Sequence, residues 1–175
     1  MKPLSPAYNI QGDEMKTDKT KTKIKTYAVA LVITLVTGGI SALLTNMGMD
    51  SYRMAEKPAL TPPEIVFPIV WTILFILMAI GAARVWLTPD SKSKAKGLRL
   101  YILQLGANFI WSILFFNLQA YALAFFWLIF LWLLILLMII AFSKSDKTAA
   151  YLQIPYLLWV SFAGYLNLMV WLLNR

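Results

Sequence analysis

Five long apolar stretches, 27–47, 66–87, 98–118, 120–142 and 149–173, occupy most of the chain. A helix needs roughly 20 apolar residues to cross the roughly 30 Å of hydrocarbon in a bilayer, and all five reach that length. Backbone N–H and C=O groups find no partner in hydrocarbon except one another, so a single long apolar run crosses as a helix. The seven tryptophans, Trp71, Trp86, Trp111, Trp127, Trp132, Trp159 and Trp171, all fall inside these stretches. The sequence therefore reads as an all-α integral membrane protein, a five-transmembrane-helix bundle rich in aromatic side chains.

Little of the 175 residues remains for a soluble domain. Residues 1–26 are rich in Lys, Thr and Asp and have no apolar run ahead of their charges. They read as a disordered basic cytoplasmic tail rather than a cleaved signal peptide, leaving 27–175 as the membrane domain. The chain has no cysteine and no histidine, which removes disulfides, thiolate nucleophiles, zinc sites and the usual protein ligands of haem iron.

Orientation follows from basic residues near the span ends. With the N-terminus inside, one side carries thirteen: Lys2, Lys16, Lys19, Lys21, Lys23, Lys25, Arg84, Lys92, Lys94, Lys96, Arg99, Lys144 and Lys147. The other side carries three, Arg53, Lys57 and Arg175. The expected topology is a multi-pass protein of a bacterial cell membrane, N-terminus cytoplasmic and C-terminus outside. The net charge of +8 is then accounted for by topology and by attraction to anionic lipid headgroups. No nucleic-acid-binding module fits, and the lipid bilayer is the first partner.

Thr88 to Ser91 and Ser143 to Thr148 form short polar loops on the basic side, and Asn117 to Gln119 a very short turn on the other. That turn makes the third and fourth spans antiparallel neighbours. The loop from Gly48 to Pro63 contains Pro58, Pro62 and Pro63. Proline fixes φ and lowers the disorder of a free loop, so this segment suits either a structured lid over the bundle end or a stiff connector.

Catalytic chemistry is largely absent. All eight acids, Asp13, Glu14, Asp18, Asp50, Glu56, Glu64, Asp90 and Asp146, lie outside the spans or at their edges. An ion-coupled carrier usually holds a charge near mid-membrane, and paired carboxylates, a nucleophilic triad, a phosphate loop and metal-ligand spacing are missing as well. Conventional hydrolytic or transferase catalysis is not expected, and no cofactor is required.

The spans do carry isolated polar groups beside aromatic ones. Gln104, Asn108 and Ser112 recur every fourth residue next to Trp111, and Ser161, Gly164 and Asn167 every third near Trp159. Two readings stand side by side. Such groups serve as interhelical hydrogen bonds, worth roughly 0.6 to 2 kcal/mol each, or as the few polar points of an apolar pocket for a flat lipophilic ligand.

Three segments carry a family resemblance: KPALTPPEIVFPIVWTILFILM from Lys57 to Met78, QLGANFIWSILFFNLQ from Gln104 to Gln119, and PYLLWVSFAGYLN from Pro155 to Asn167. In this order and spacing the chain after Tyr27 resembles the translocator protein family, also called tryptophan-rich sensory proteins or peripheral-type benzodiazepine receptors. The resemblance implies a five-helix bundle, often a homodimer, whose cavity binds porphyrins such as protoporphyrin IX or haem and synthetic isoquinoline carboxamides or benzodiazepines. Cholesterol binding is known for some members. Matched by motif position, the implied pocket comprises Phe67, Pro68, Val70 and Trp71, then Asn108 and Trp111, then Trp159, Ala163 and Leu166. Tyr52, Lys57 and Leu60 belong to the implied lid.

The chain departs from the family pattern at Ser51, Leu60 and Ile65, where tryptophan is common, and at Leu168, where tyrosine is. The lost lid tryptophans count against the porphyrin degradation proposed for some relatives, and the lost tyrosine against a C-terminal sterol pattern. The leading function is a membrane receptor or sensor for tetrapyrroles and other flat lipophiles. A carrier of porphyrin or another lipophile is the alternative, and a porphyrin-degrading enzyme comes last.

Overall fold

The computed structural model describes residues 6–46 and 48–175, with side chains from Thr17 onward apart from Asp50 and Ser51. Lys2 therefore lies outside the described residues, as do the side chains of Lys16 and Ser51. All regular structure among the described residues is helical: α1 (Pro6–Asn46), α2 (Met49–Met54), α3 (Val66–Trp86), α4 (Lys92–Ser112), α5 (Tyr121–Ser143), α6 (Lys147–Tyr151) and α7 (Ile154–Leu173). Five helical segments are long and apolar enough to cross a membrane: Thr17–Asn46, Val66–Trp86, Lys92–Asn117, Tyr121–Ser143 and Lys147–Leu173.

Helix ends differ from the sequence expectation in three places, each with a local cause. Helix α1 begins at Pro6, where composition suggested a disordered tail over 1–26; a helix already nucleated by its membrane span gains a hydrogen bond for each further residue without a new nucleation cost. The third span starts at Lys92 instead of 98 because the Ser91 side chain accepts from the Lys94 N–H and caps it. The fifth span is broken between α6 and α7. Pro155 has no N–H to give the carbonyl one turn back, and the chain tightens there through Gln153 N–H to the Ala150 carbonyl at 3.0 Å.

At its far end α4 widens into a π-helical turn, Ile113–Asn117, closed by Leu118 N–H to the Ile113 carbonyl at 3.0 Å. Gln119 then takes a left-handed φ of 50° to reverse the chain into α5. Asn117 reaches across to the Leu44 carbonyl at 2.8 Å, tying this turn to the end of α1. Gly48 sits so close that a Cβ there would lie 2.2 Å from the Phe116 carbonyl oxygen, so only glycine lets the first loop pass.

The interior is apolar and close-packed, centred on Met78, Leu131, Ile135, Met138, Tyr156 and Val160. On α5 the side chains of Leu123, Phe126, Phe130, Leu133, Leu137 and Ile140 point outward and are exposed. They recur every third or fourth residue, forming the stripe that a lipid-facing helix presents.

The basic end is pinned by polar contacts. Arg84 pairs with Asp146 at 2.9 Å, and Asp146 also caps α6 by accepting from Ala149 N–H at 2.8 Å. Burial pushes the Asp146 carboxyl up, but the Ala149 N–H and the Arg84 guanidinium more than offset this and hold it below its ordinary value.

Candidate functional site

A cavity of about 460 Å³ opens at the opposite end, between α1, α3, α4 and α7 and beneath the first loop. Each helix presents one face to it. From α3 come Phe67, Pro68, Trp71 and Phe75; from α4 and its π turn Asn108, Trp111, Ser112, Phe115 and Phe116; from α7 Trp159, Ala163, Leu166 and Asn167. These positions recur at three- and four-residue steps, the spacing that places side chains above one another on a helix.

The walls are aromatic and mutually braced. Trp111 stacks on Phe115 at 5.5 Å and lies 6.4 Å from Trp71, which in turn meets Phe75 at 5.6 Å. Phe67 meets Trp159 edge-on at 6.0 Å. Such offset and edge contacts suit the negative faces and positive edges of aromatic rings.

Behind these rings lies a hydrogen-bond network that fixes them. The buried Tyr156 hydroxyl donates to Gln104 Oε1 at 2.8 Å and accepts from Asn108 Nδ2 at 3.0 Å. Trp111 Nε1 donates to Asn167 Oδ1 at 3.2 Å, and Asn167 Nδ2 to the Tyr121 carbonyl at 2.8 Å. The two readings of the intramembrane amides thus merge: Asn108 and Asn167 bond between helices and also line the cavity. Ser161 makes only the interhelical bond, accepting from Trp132 Nε1 on α5 at 2.9 Å, and does not line the cavity. One donor on the wall is unmatched, since the buried Trp159 Nε1 has no partner.

Helix α2 carries the first loop over the open end. Tyr52 is buried against Phe115 and Phe116, with ring centroids 5.6 and 5.4 Å away, and burial raises its hydroxyl pKa. Arg53 grips Glu64 through its Nε and Nη2 at 3.0 to 3.3 Å, and this hydrogen bonding lowers the Glu64 pKa. Farther along, Glu56 N–H donates to Asn174 Oδ1 at 3.0 Å while Asn174 Nδ2 returns to the Glu56 carbonyl at 2.9 Å. This reciprocal pair fastens the loop to the end of α7. Thr61 adds a turn by bonding the Pro58 carbonyl through both its N–H and its hydroxyl.

Of the twelve residues matched from sequence, Tyr52, Phe67, Pro68, Trp71, Asn108, Trp111, Trp159, Ala163 and Leu166 meet at this cavity. Three do not. Val70 packs partly buried against the core. Leu60 is exposed on the outside of the loop. Lys57 turns back, donating to the Arg53 carbonyl at 3.1 Å with its ammonium 4.9 Å from the Tyr52 ring centroid.

Sequence reasoning missed the fourth wall, formed by Gly38, Ser41, Ala42 and Thr45 on α1. Their signal was a small-residue face at helical spacing in an otherwise bulky span. Gly38 faces Phe75 so closely that a Cβ would lie 2.3 Å from the ring. Among the described residues no cluster of acidic, His or Cys side chains could hold a metal ion.

Comparison with known proteins gives a consistent picture. The TspO/MBR family model matches residues 28–172. The chain is 37% identical over 154 residues to the tryptophan-rich protein TspO of Chlorobaculum tepidum, covering 87% of this chain and 98% of that one. It is 34% identical to protein CrtK of Rhodobacter capsulatus, covering 85% and 92%. With the translocator protein of Bos taurus it shares 32% identity, covering 73% and 77%.

Proposed function

The chain belongs to the TspO/MBR family of membrane proteins, and from that premise we propose that it is a receptor or sensor that takes a porphyrin, or a similar flat lipophile, into the cavity beneath its first loop. The observation that carries this reading is the cavity itself. About 460 Å³ walled by Trp71, Trp111, Trp159 and Phe67 falls within the ordinary range for small-molecule sites, which are mostly apolar with a few polar points.

A macrocycle would lie against these rings, and its carboxylates would turn toward Arg53 at the mouth. Lys57 would contribute only through the field near that mouth, because its ammonium already rests on Tyr52. Trp159 Nε1, buried without a partner, would donate to an acceptor on the ligand and so relieve an otherwise costly unpaired group. With no His or Cys in the chain to bind iron, ring packing rather than metal ligation would supply the affinity.

A carrier is the second reading, favoured by the exposure of α1: one wall of the cavity is a helix with little of its surface buried, past which a lipophile could move sideways. Either reading uses the same topology, with the basic end in the cytoplasm and the cavity end outside. Reporters fused at the two ends are expected to report opposite sides.

The test is titration of the purified protein with protoporphyrin IX, following intrinsic tryptophan fluorescence, with illumination of the same sample to detect turnover. Saturable quenching without loss of the porphyrin supports a binder. No saturable quenching would refute the reading, and light-dependent loss of the porphyrin would make the protein an enzyme.

A further inference from the structure

A second hollow lies at the basic end, outside the bundle. It is a groove of about 530 Å³ between α1, α3 and α4. Its floor is formed by small side chains, Ala30 on α1 with Ala82 and Ala83 on α3, flanked by Val29, Ile33 and Ile102. Trp86, largely exposed, forms one rim. At the deep end Tyr101, which also lines the groove, hydrogen-bonds Thr34 across the α1–α4 contact.

The mouth is polar and basic. Lys25 lines it together with the hydroxyl residues Thr22 and Thr26. The charges at this end are out of balance. Asp90 is taken by Lys94 at 2.9 Å and Asp146 by Arg84 at 2.9 Å, whereas Lys25 and Arg99 have no ion pair among the described residues. Arg99 lies one helical turn from Ile102, hence on the same side of α4.

Length identifies the occupant. From Lys25 at the mouth to Ile33 the groove follows eight residue steps of α1, about 12 Å of helix rise. That is most of one leaflet of hydrocarbon, half of roughly 30 Å. We propose that this groove is a binding site for an anionic phospholipid: one acyl chain lies along the alanine floor toward Tyr101, and the phosphate sits at Lys25. A neutral lipid would fill the same apolar floor but leave the basic mouth unmatched. The site is separate from the cavity beneath the first loop and does not depend on what that cavity binds.

Trp86 provides the readout. The intact protein is placed in phosphatidylcholine nanodiscs containing a fixed minor fraction of lipid with brominated, fluorescence-quenching acyl chains, either phosphatidylglycerol or phosphatidylcholine. The Trp86 signal is the difference between the protein and its Trp86→Phe variant. Brominated phosphatidylglycerol is expected to quench Trp86 severalfold more than brominated phosphatidylcholine. Lys25→Gln should reduce that preference by about fivefold, the equivalent of the ~1 kcal/mol that a basic residue contributes near an anionic surface. Ala30→Phe, which fills the floor but keeps the charge, should reduce it as well. Lys144→Gln removes a charge from the same end without touching the groove and should leave it intact.

Equal quenching by the two lipids would overturn the proposal. An equal loss in Lys25→Gln and Lys144→Gln would replace the site with diffuse attraction to the surface. A Trp86 shielded from both lipids would mean that a second copy of the chain covers the groove, which is also incompatible with a lipid site.

Discussion

The two facing walls of the cavity, α1 and α4, are both membrane-spanning helices but are built on different principles. In α4 half of the most apolar window is buried; in α1 the figure is 6%. Gln104 and Asn108 on α4 are bonded to Tyr156, and Trp111 to Asn167, so its aromatic face is held from behind. On α1 the hydroxyl of Thr45 returns to carbonyls of its own helix, and the residues it offers the cavity are small. One wall thus sets the shape of the site and the other leaves room in it. A ligand pocket in a membrane needs both, since rigid groups preorganise binding while close packing throughout would leave no volume.

The sharpest way to break this contrast is at the hub of the rigid wall. Tyr156→Phe removes one hydroxyl and strands the Gln104 carbonyl oxygen and the Asn108 amide in the bundle interior. Each orphaned buried group costs on the order of 1 to 3 kcal/mol, so thermal unfolding in detergent should occur at clearly lower temperature. An unchanged unfolding temperature would mean that the network does not brace α4.

Next in size is loss of the aromatic surface. Trp159→Ala should weaken protoporphyrin IX and haem alike by ~1 to 3 kcal/mol, the scale of losing a large aromatic contact. A loss confined to haem, read from parallel titrations, would point to metal ligation instead of ring packing.

On the permissive wall the expectation reverses. Thr45→Ala deletes a hydroxyl that bonds only within α1, and its effect on stability and binding should stay within about 0.5 kcal/mol. A loss as large as that of Trp159→Ala would show that α1 contributes contacts rather than space.

Smallest is the contribution of the mouth. Arg53 and Glu64 are about half exposed, and exposed pairs are weak and screened by salt. Arg53→Ala should change porphyrin affinity by less than about twofold, and less still at high salt. Because Arg53 lowers the Glu64 pKa, the pair is fully formed above the ordinary carboxylate range of about 4. Its contribution should be lost as pH falls through the lowered Glu64 value. Retention of the full contribution in strong acid would contradict the assignment of that pair.

The span count and the aromatic walls were legible because hydrocarbon length and helical spacing act directly on sequence. Spacing put Gln104, Asn108 and Ser112 on one face beside Trp111, whereas Trp71, Trp159 and Ala163 were assigned to the pocket through the family resemblance of their motifs. The α1 wall was not legible: Gly38, Ser41, Ala42 and Thr45 lie in a span exposed almost everywhere else, so no strong polar signal set that face apart. Which way Lys57 and Leu60 face within the first loop was not legible, for another reason. They lie in a loop, where direction is decided by individual contacts such as that of Lys57 with Arg53 and Tyr52, not by a period. The break before α7 was foreshadowed by Pro155, whereas the extension of α1 to Pro6 ran against composition because helix propagation outweighed it.

The central claim is that the ligand occupies the space between these two walls, and Ala163 tests it most directly. Its methyl group is buried on α7 and lines the cavity, so Ala163→Leu extends a bulky side chain into the volume that a ring system would fill. Overpacking of this kind costs roughly 1 to 3 kcal/mol, which corresponds to about a tenfold loss at 1.4 kcal/mol. Measured by tryptophan fluorescence titration of the stably folded variant, protoporphyrin IX affinity is predicted to fall about tenfold or more. An affinity equal to that of the unaltered protein would contradict the account and place the ligand elsewhere.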